Sequence, residues 1–511
     1  MSNNHEKLLK ASVIVTIIGI LGKFLGFARD AVIAAFYGAT WQTDAFFFAQ
    51  SMPGIIFPAV CNSLSTAFLT AYVSKSVENK EGADLYASKA ISLSAFLAII
   101  LSGIAIVVTP FLVPVFAPGF APKQTELAVH LTRITMAAFV LSMGHYMLSA
   151  VLSAKKLFYG AQIAMLVYNA IVIALTIAFG KNQNLDLLTG IVVLGHFVQL
   201  LVMILIVSRQ FRFTFSFKCI DADTKKLLLL TLPIVLGNSI VQINNIVDKV
   251  LSSLFGDGAM SALSYSNTLN RFVTGVVITT LSTVIYPTLA EHYSEGKLGE
   301  FSNTFRKSIS VGLIVLLPVS IITTLCASDI VKVVYERGSF GPEASGLTAS
   351  ALRFYGMMFV FSAIQEVTVR AFYSMKDTKT PLKTAALAIL SNAIMSFVFS
   401  RLLGMGLSGI ALGTTLSTLL AAVLLLHALK KRVPELELSK LKYSLIKIVS
   451  SAIVLLVVIL ILRKLFTGIG PLARFVLITI ISFTIHIGIL VLTRCDEIKD
   501  VKGLLTKVQK R

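Results

Sequence analysis

The sequence predicts an all-α polytopic membrane protein with about fourteen transmembrane helices. Of its 511 residues, 56% are hydrophobic and only 14% are charged, and the mean hydropathy is +0.84. Apolar runs of about 20 residues, the length that crosses a bilayer core as a helix, recur from end to end. The sequence lacks the alternating pattern of barrel strands, and lipid offers no partners for unpaired backbone amides, so helices are the predicted spanning elements.

The apolar runs define the predicted helices one by one. The first follows Lys7 and Lys10, as in a signal peptide, but it is too long for one and no small-residue cleavage site follows. We therefore expect it to be retained as a helix. The predicted spans are residues 11–36, 44–73, 90–116, 126–153, 159–179, 186–208, 227–255, 259–290, 308–335, 345–374, 382–402, 406–429, 443–462 and 472–493.

The basic residues indicate the orientation of these helices. The net charge is +20, and most of the 45 lysines and arginines lie in the two ends and the even-numbered loops. This bias predicts a multi-pass inner-membrane protein with cytoplasmic N- and C-termini, and contact with anionic lipid headgroups rather than with nucleic acid. The basic residues on the opposite side are Lys123, Lys181, Arg337, Arg401, Arg463, Lys464 and Arg474.

An internal repeat relates the two halves of the chain at an offset of about 218 residues. The stretch 29–38 matches 247–256, Lys89-Ala90-Ile91-Ser92 matches Lys307-Ser308-Ile309-Ser310, and Arg133 meets Arg353 at an offset of 220. Each half carries six predicted helices, so both insert with the same orientation, as in transporters that hold substrate at the interface between repeats. The predicted organisation is a six-helix lobe at 1–218, a second at 219–432, and a two-helix unit with a basic tail at 433–511.

Charged and polar side chains fall inside the first two predicted helices of each repeat, although a charge at mid-bilayer costs several kcal/mol. In the first helix, Lys23 and Asp30 are seven residues apart and share a face, and Arg29 is adjacent. Basic residues outnumber acidic ones within the predicted spans, and the arginine fork suits phosphate oxygens. The sequence therefore predicts an anionic substrate. The candidate substrate-binding residues are Lys23, Arg29, Asp30, Asp44, Asn267, Asn270 and Arg271.

A structural alternative applies to the neighbouring opposite charges. Arg29–Asp30, Asp248–Lys249 and Glu366–Arg370 can be internal ion pairs that hold helices together. We favour this structural interpretation for Glu366 and Arg370, which are four residues apart. We favour substrate binding for Lys23, Arg29 and Arg271. The four cysteines, Cys61, Cys219, Cys326 and Cys495, have no paired spacing, so the sequence predicts neither a disulfide framework nor a metal site.

Five motifs make the sequence similar to the lipid II flippase (MurJ, or MviN) family of the multidrug/oligosaccharidyl-lipid/polysaccharide exporter superfamily. The similarity extends over the whole chain, including the last two helices. The motifs are the stretches 22–30, 37–39, 43–47, 286–290 and 372–381.

This resemblance implies a transporter rather than an enzyme, one that moves lipid II, an undecaprenyl-pyrophosphate-linked peptidoglycan precursor, to the outer leaflet by alternating access. It places the family's basic positions on Lys23 and Arg29 and its carboxylates on Asp30 and Asp44. It also implies a monovalent cation site to which Asp248, Asn392 and Thr414 contribute here, with Ser396 in place of a second carboxylate. No cofactor is expected. Coupling to that cation or to the membrane potential is expected, as is association with membrane lipids and the cell-wall synthesis machinery.

Two departures from the family pattern keep other substrates open. Phe57 and Thr268 stand where many members have arginine, and Arg271 follows Thr268 by three residues. The alternatives are an exporter of another polyprenyl-pyrophosphate-linked saccharide, such as a capsule or teichoic precursor, a cation-coupled drug exporter, and a membrane enzyme acting on the same lipid. The short outer loops and the missing metal-ligand cluster disfavour an enzyme, and the basic interior disfavours a cationic drug.

Overall fold

The computed structural model describes residues 2–211 and 213–495. Side chains are described there except at 2–16, 55–56, 58, 80, 236–237, 240–241, 277–284, 438 and 440. Every regular element in these residues is a helix. The first eight are α1 (Ser2–Tyr37), α2 (Trp41–Glu78), α3 (Lys80–Phe116), α4 (Pro122–Ala154), α5 (Tyr159–Phe179), α6 (Leu185–Ser208), α7 (Ala222–Ser253) and α8 (Ala259–Ser294). The other α-helices are α9 (Leu298–Leu325), α10 (Ala327–Val334), α11 (Pro342–Ser374), α12 (Lys379–Phe397), α13 (Leu407–Arg432), α14 (Leu438–Leu465) and α15 (Pro471–Leu492). A 3-10 turn, Gly180–Asn182, follows α5, and a π-helical turn, Val398–Leu402, follows α12.

The fourteen predicted spans correspond to the fourteen long helices, which confirms the all-α polytopic fold class. Several helices run beyond the predicted ends, because hydropathy marks only the part of a helix that lies in hydrocarbon. The exception is the predicted span 308–335, which is broken at Cys326 into α9 and the short α10. The polar residue Asp329 follows the break and pairs with Arg474 at the start of α15.

Eleven helices in the described part of the chain are long and apolar enough to cross a membrane. Helices α1, α7 and α8 carry most of the polar and charged residues that the sequence singled out. The chain is therefore a multi-pass membrane protein.

The helix bounds repeat along the chain at nearly the offset found in the sequence. The starts of α2 and α8, Trp41 and Ala259, are 218 residues apart. The turns after α4 and α11 contain Lys156 and Lys376, both in the left-handed region at φ 60° and 58°. These equivalent turns support the repeat, while the lobe boundaries predicted at 218 and 432 stay predictions.

The chain divides into two compact units, Met1–Ser261 and Ala262–Arg511. In the first unit α2 packs against α4, α3 and α7, and α1 packs against α5. Its core is rich in fully buried aromatic side chains, among them Phe46, Phe48, Phe68 and Phe139. Within hydrocarbon these side chains stabilise the unit through close van der Waals packing rather than through removal from water.

In the second unit α11 packs between α9 and α13, and α12 packs against α13. The last helix pair, α14 and α15, packs against α9 and α10. The buried His486 joins these elements, because its Nδ1 lies 3.0 Å from Ser451 Oγ and its Nε2 lies 3.1 Å from the Ile314 carbonyl oxygen. The helix pair is therefore anchored to α9 by polar contacts as well as apolar packing.

Candidate functional site

Arg29 and Asp30 form an ion pair on α1 that also reaches α5. Arg29 Nη2 lies 2.8 Å from Asp30 Oδ1, and Arg29 Nε donates to the same oxygen at 2.9 Å. Arg29 Nη1 donates to Tyr168 Oη at 3.4 Å and to Asn169 Oδ1 at 3.3 Å. The Arg29 side chain nevertheless keeps 25% of its surface exposed. The guanidinium is thus held by Asp30, Tyr168 and Asn169, while a quarter of the side-chain surface is exposed.

Helix α5 lies against the charged part of α1. Asn169 Nδ2 lies 3.5 Å from the Gly22 carbonyl oxygen, and a Cβ added at Gly26 would lie 3.8 Å from Asn169 Oδ1, an ordinary van der Waals distance. Lys23 is half-buried and lies six residues before Arg29 on the same helix.

Asp44, predicted to bind substrate, lies at the outer end of α2 and is almost fully buried, with 1% of its surface exposed. Its Oδ2 accepts a hydrogen bond from the Gly258 N–H and its Oδ1 accepts one from the Ser261 N–H, both at 2.7 Å. A carboxylate at the first turn of a helix satisfies N–H groups that have no partner within the helix, and it interacts favourably with the helix dipole. In this structure Asp44 holds the start of α8 against α2.

Two glycines permit the tight packing beside Asp44. Gly258 has φ +78°, and an added Cβ would lie 2.5 Å from the Ala39 carbonyl oxygen. At Gly119, an added Cβ would lie 2.1 Å from the Ser253 carbonyl oxygen. We call the contacts of Asp44, Gly119 and Gly258 the outer latch of the first unit.

We predict that Gly258→Ala destabilises the protein more than Gly256→Ala does. Both glycines have positive φ, which costs an alanine about 1–2 kcal/mol, but nothing lies within 4 Å of a Cβ at Gly256. The difference in thermal unfolding between the two purified variants measures the Gly258–Ala39 contact. Equal loss of stability in both variants would show that this close approach contributes nothing.

The opposite end of the α2–α7 contact is held by ion pairs at the predicted cytoplasmic side. Lys75 Nζ lies 2.8 Å from Asp223 Oδ2, and Lys89 Nζ lies 2.8 Å from Asp221 Oδ2. Burial alone would raise the pKa of the Asp221 carboxyl, but hydrogen bonds from Lys89 and from the Thr224 N–H and hydroxyl lower it below its usual value. We call these two ion pairs the inner latch.

The predicted site residues of α8, Asn267, Asn270 and Arg271, belong to the second unit. Asn267 is half-buried, Arg271 is exposed, and Asn270 is buried with 4% of its surface exposed. Asn270 Oδ1 has no hydrogen-bond partner among the described residues. A buried amide oxygen without a partner costs about 1–3 kcal/mol, so this position suits a donor from outside the protein.

Two of the predicted cation ligands meet in the second unit. Ser396 Oγ donates to Asn392 Oδ1 at 2.9 Å and lies 3.3 Å from the Ile410 carbonyl oxygen, which also accepts from Thr414 Oγ1 at 3.1 Å. Asp248 is buried in α7 of the first unit. The described residues contain no group of three or more His, Cys, Asp or Glu side chains placed to hold a metal. The cation site stays a prediction.

The remaining positions singled out in the sequence are the charged pair on α11 and the two uncharged residues Phe57 and Thr268. Glu366 Oε1 pairs with Arg370 Nη2 at 2.5 Å within α11, as the four-residue spacing indicates. Phe57, which replaces a family arginine, stacks on Phe139 with ring centroids 3.5 Å apart. Thr268 is half-buried on α8.

Sequence reasoning missed several residues that surround Arg29. Tyr168 and Asn169 contact the guanidinium, and His145 and His196 line a cavity on the other side of Tyr168. These four polar residues could have been noticed in the sequence, because they interrupt or flank the apolar runs of the predicted helices 126–153, 159–179 and 186–208. Histidines dispersed along the sequence gave no indication that two of them meet.

Comparisons with known proteins agree with this architecture. A family model described as "Lipid II flippase MurJ" matches residues 33–481. The chain is 25% identical over 415 residues to a probable lipid II flippase MurJ of Rickettsia prowazekii (strain Madrid E), covering 80% of this chain and 81% of that protein. It is 27% identical over 422 residues to a probable lipid II flippase MurJ of Rhizobium tropici, with 80% and 78% covered.

Solved structures share the fold. A lipid II flippase MurJ in an inward closed conformation matches with a TM-score of 0.79 at 22% identity, covering 94% of this chain and 98% of that one. An inward-facing multidrug resistance MATE family transporter of the MOP superfamily matches with a TM-score of 0.70 at 16% identity, covering 83% and 99%. Because the family model spans most of the sequence, the chain belongs to the lipid II flippase MurJ family.

Proposed function

We propose that this protein translocates lipid II from the cytoplasmic to the outer leaflet of the bacterial inner membrane by alternating access. The observation that carries the proposal is Arg29, a partly exposed guanidinium inside a membrane helix of a member of this family. Its neighbour Asp30 offsets part of the charge, and a pyrophosphate offers further oxygens to the accessible face. Both termini are proposed to lie in the cytoplasm, because the basic residues concentrate there.

The two latches suggest how access alternates. Helix α7, the first of the second repeat, is tied to helices of the first repeat at both ends. The inner latch consists of partly exposed ion pairs, each contributing about 1 kcal/mol or less, whereas loss of the two buried hydrogen bonds of the outer latch leaves N–H groups unsatisfied at about 1–3 kcal/mol each. Opening the inner end therefore costs less, and substrate enters from the cytoplasmic side.

We predict that Lys89→Glu opens the inner end more often. The change sets two like charges together near Asp221, whose carboxyl is ionised at neutral pH because its pKa is lowered. The reporter is a single cysteine at position 238, placed by Asn238→Cys in a protein whose four native cysteines have been replaced. Asn238 lies in the contact between α7 and α2, where it donates to Ser63 Oγ at 2.9 Å. Thiol labelling of this cysteine from the cytoplasmic side should rise several-fold in Lys89→Glu and return to the original level in Lys89→Glu/Asp221→Lys. No change in labelling would exclude the ion pair as a latch.

The stability of the inner latch depends on pH through the carboxyl of Asp221. Because the folded-state pKa of Asp221 is lowered, its stabilising contribution is complete above the unfolded value of about 4 and is lost as the pH falls through the folded value. The inner latch is thus intact at neutral pH and weakens only in acid.

A second candidate is transport of another polyprenyl-pyrophosphate-linked saccharide, favoured by Phe57, which is stacked on Phe139 and offers no charge. The deciding experiment places the purified protein in vesicles with lipid II or with a capsule or teichoic precursor and measures exposure of each headgroup at the opposite leaflet. Faster movement of lipid II supports the proposal. Transport of only the other lipid would contradict it.

The reset of the cycle is proposed to depend on the membrane potential or a monovalent cation bound near Asp248, Asn392 and Thr414. Positive charge within the membrane feels the potential, at about 2.3 kcal/mol per charge and 100 mV. Membrane lipids and the cell-wall synthesis machinery are the proposed partners. The vesicle assay repeated with and without an imposed potential, and with sodium or potassium, separates these energy sources.

A further inference from the structure

A cavity of about 370 Å³ lies inside the first unit, among α2, α4, α5 and α6. Its volume falls in the range of roughly 300–1,000 Å³ that is usual for small-molecule sites. Two of its lining residues, Gly54 and Met165, are exposed, so the cavity reaches the surface of the unit. None of the candidate substrate-binding or cation residues predicted from the sequence lines it.

Two histidines face this cavity from different helices. His145 on α4 lines the cavity, and its buried Nδ1 has no hydrogen-bond partner among the described residues. His196 on α6 is oriented by Gln199, whose Oε1 lies 3.2 Å from its Nδ1, and its ring stacks on Tyr168 with centroids 4.6 Å apart. The two imidazoles bring groups that can donate and accept hydrogen bonds to one wall, which suits a polar ligand.

The chemistry of the walls defines the class of ligand. The described lining residues include no Asp, Glu, Lys or Arg, but they include the side-chain amides of Gln50 and Gln199 together with both imidazoles. The remaining described wall is mixed aliphatic and aromatic, and the stacked rings of Phe57 and Phe139 form part of it. Amides and imidazoles both donate and accept hydrogen bonds, and aromatic rings pack on apolar C–H faces. A saccharide ring carrying hydroxyl and amide groups presents this combination.

Tyr168 places the cavity next to Arg29. The tyrosine lines the cavity, and its hydroxyl contacts Arg29 Nη1 at 3.4 Å. In a pyrophosphate-linked saccharide the first sugar is bonded directly to the phosphate. A pyrophosphate at Arg29 would therefore have its first sugar one side chain away, at the cavity.

We propose that this cavity binds the first sugar ring of the lipid-linked substrate through His145, His196, Gln50 and Gln199. The assignment rests on the proposed function for the position of the pyrophosphate. Phe57, stacked on Phe139, gives this wall an uncharged surface against which a neutral ring can pack.

The test compares two lipids in vesicles containing the full chain: polyprenyl pyrophosphate carrying one N-acetylated amino sugar, and polyprenyl pyrophosphate without sugar. We expect the first to move faster, and we expect His145→Phe to lower the ratio of the two rates about ten-fold. Gln50→Met, at the edge of the cavity, should lower the ratio in the same direction if His145→Phe fails to fold. His427→Phe, the same exchange at an exposed histidine of α13, should keep the wild-type ratio.

A second measurement separates this inference from the proposed function. Binding of free N-acetylglucosamine to the purified protein, followed by saturation-transfer NMR, should be lost in His145→Phe and kept in His427→Phe. If neither lipid moves but the free sugar binds through His145, the proposed function fails and the sugar site stands. If His145→Phe slows both lipids alike, with a changed pH dependence and an unchanged ratio, the cavity is a proton site and the inference is overturned.

Discussion

Replacing Arg29 by alanine is expected to slow lipid II translocation by about 100-fold. Four of the five guanidinium N–H groups already donate to Asp30, Tyr168 and Asn169, which leaves one Nη2 N–H for the pyrophosphate. One charge-assisted hydrogen bond contributes about 1.5–3 kcal/mol, and the upper part of this range accounts for the factor. Arg29→Lys should recover only part of the rate, because a lysine ammonium cannot keep the planar contacts with these three residues while it reaches a phosphate oxygen. Translocation is measured in vesicles at equal amounts of inserted protein.

The partner Asp30 requires a control of its own. Arg29→Ala removes one charged partner of Asp30, whose side chain is 89% buried, and losing such a partner costs up to about 3–5 kcal/mol of stability. Arg29→Ala/Asp30→Asn removes this penalty, so it should unfold at nearly the wild-type temperature and still transport slowly. Arg209→Ala, an exposed arginine at the end of α6, should transport normally. Wild-type transport by the double variant would remove Arg29 from the substrate site.

Replacing Asp44 by alanine is expected to destabilise the protein by about 3 kcal/mol. The change leaves the Gly258 and Ser261 N–H groups buried without an acceptor, at about 1–3 kcal/mol each. Asp44→Asn keeps one acceptor oxygen and should lose roughly half as much. Chemical or thermal unfolding of the purified variants gives the order wild type, Asp44→Asn, Asp44→Ala.

The same series distinguishes the outer latch from a direct contact with substrate, which the sequence predicts for Asp44. A latch residue affects stability and the outward accessibility of the seam, whereas a substrate ligand affects translocation at unchanged stability. Asp186→Ala serves as the matched control, because that carboxylate lies in the first turn of α6 with 57% of its side chain exposed. If Asp44→Ala unfolds like Asp186→Ala but transports slowly, the latch assignment is wrong.

Much of the fold could be predicted because hydropathy and helical periodicity are local. The fourteen long helices, the equivalent turns at Lys156 and Lys376 and the ion pair of Glu366 with Arg370 all depend on residues close in sequence. The break at Cys326 was missed, since Asp329 finds its partner Arg474 at a separation of 145 residues. Length and polarity alone do not reveal such a pairing.

The sequence by itself determined that the chain is a polytopic helical membrane protein, that its halves repeat, and that Arg29 lies within a membrane span. Only the tertiary structure decided what the polar groups do: Asp44 holds the start of α8, Tyr168 and Asn169 orient Arg29, and His145 and His196 face one cavity. The physical reason is that lipid imposes helices segment by segment, whereas buried polar groups must find partners wherever packing brings other helices.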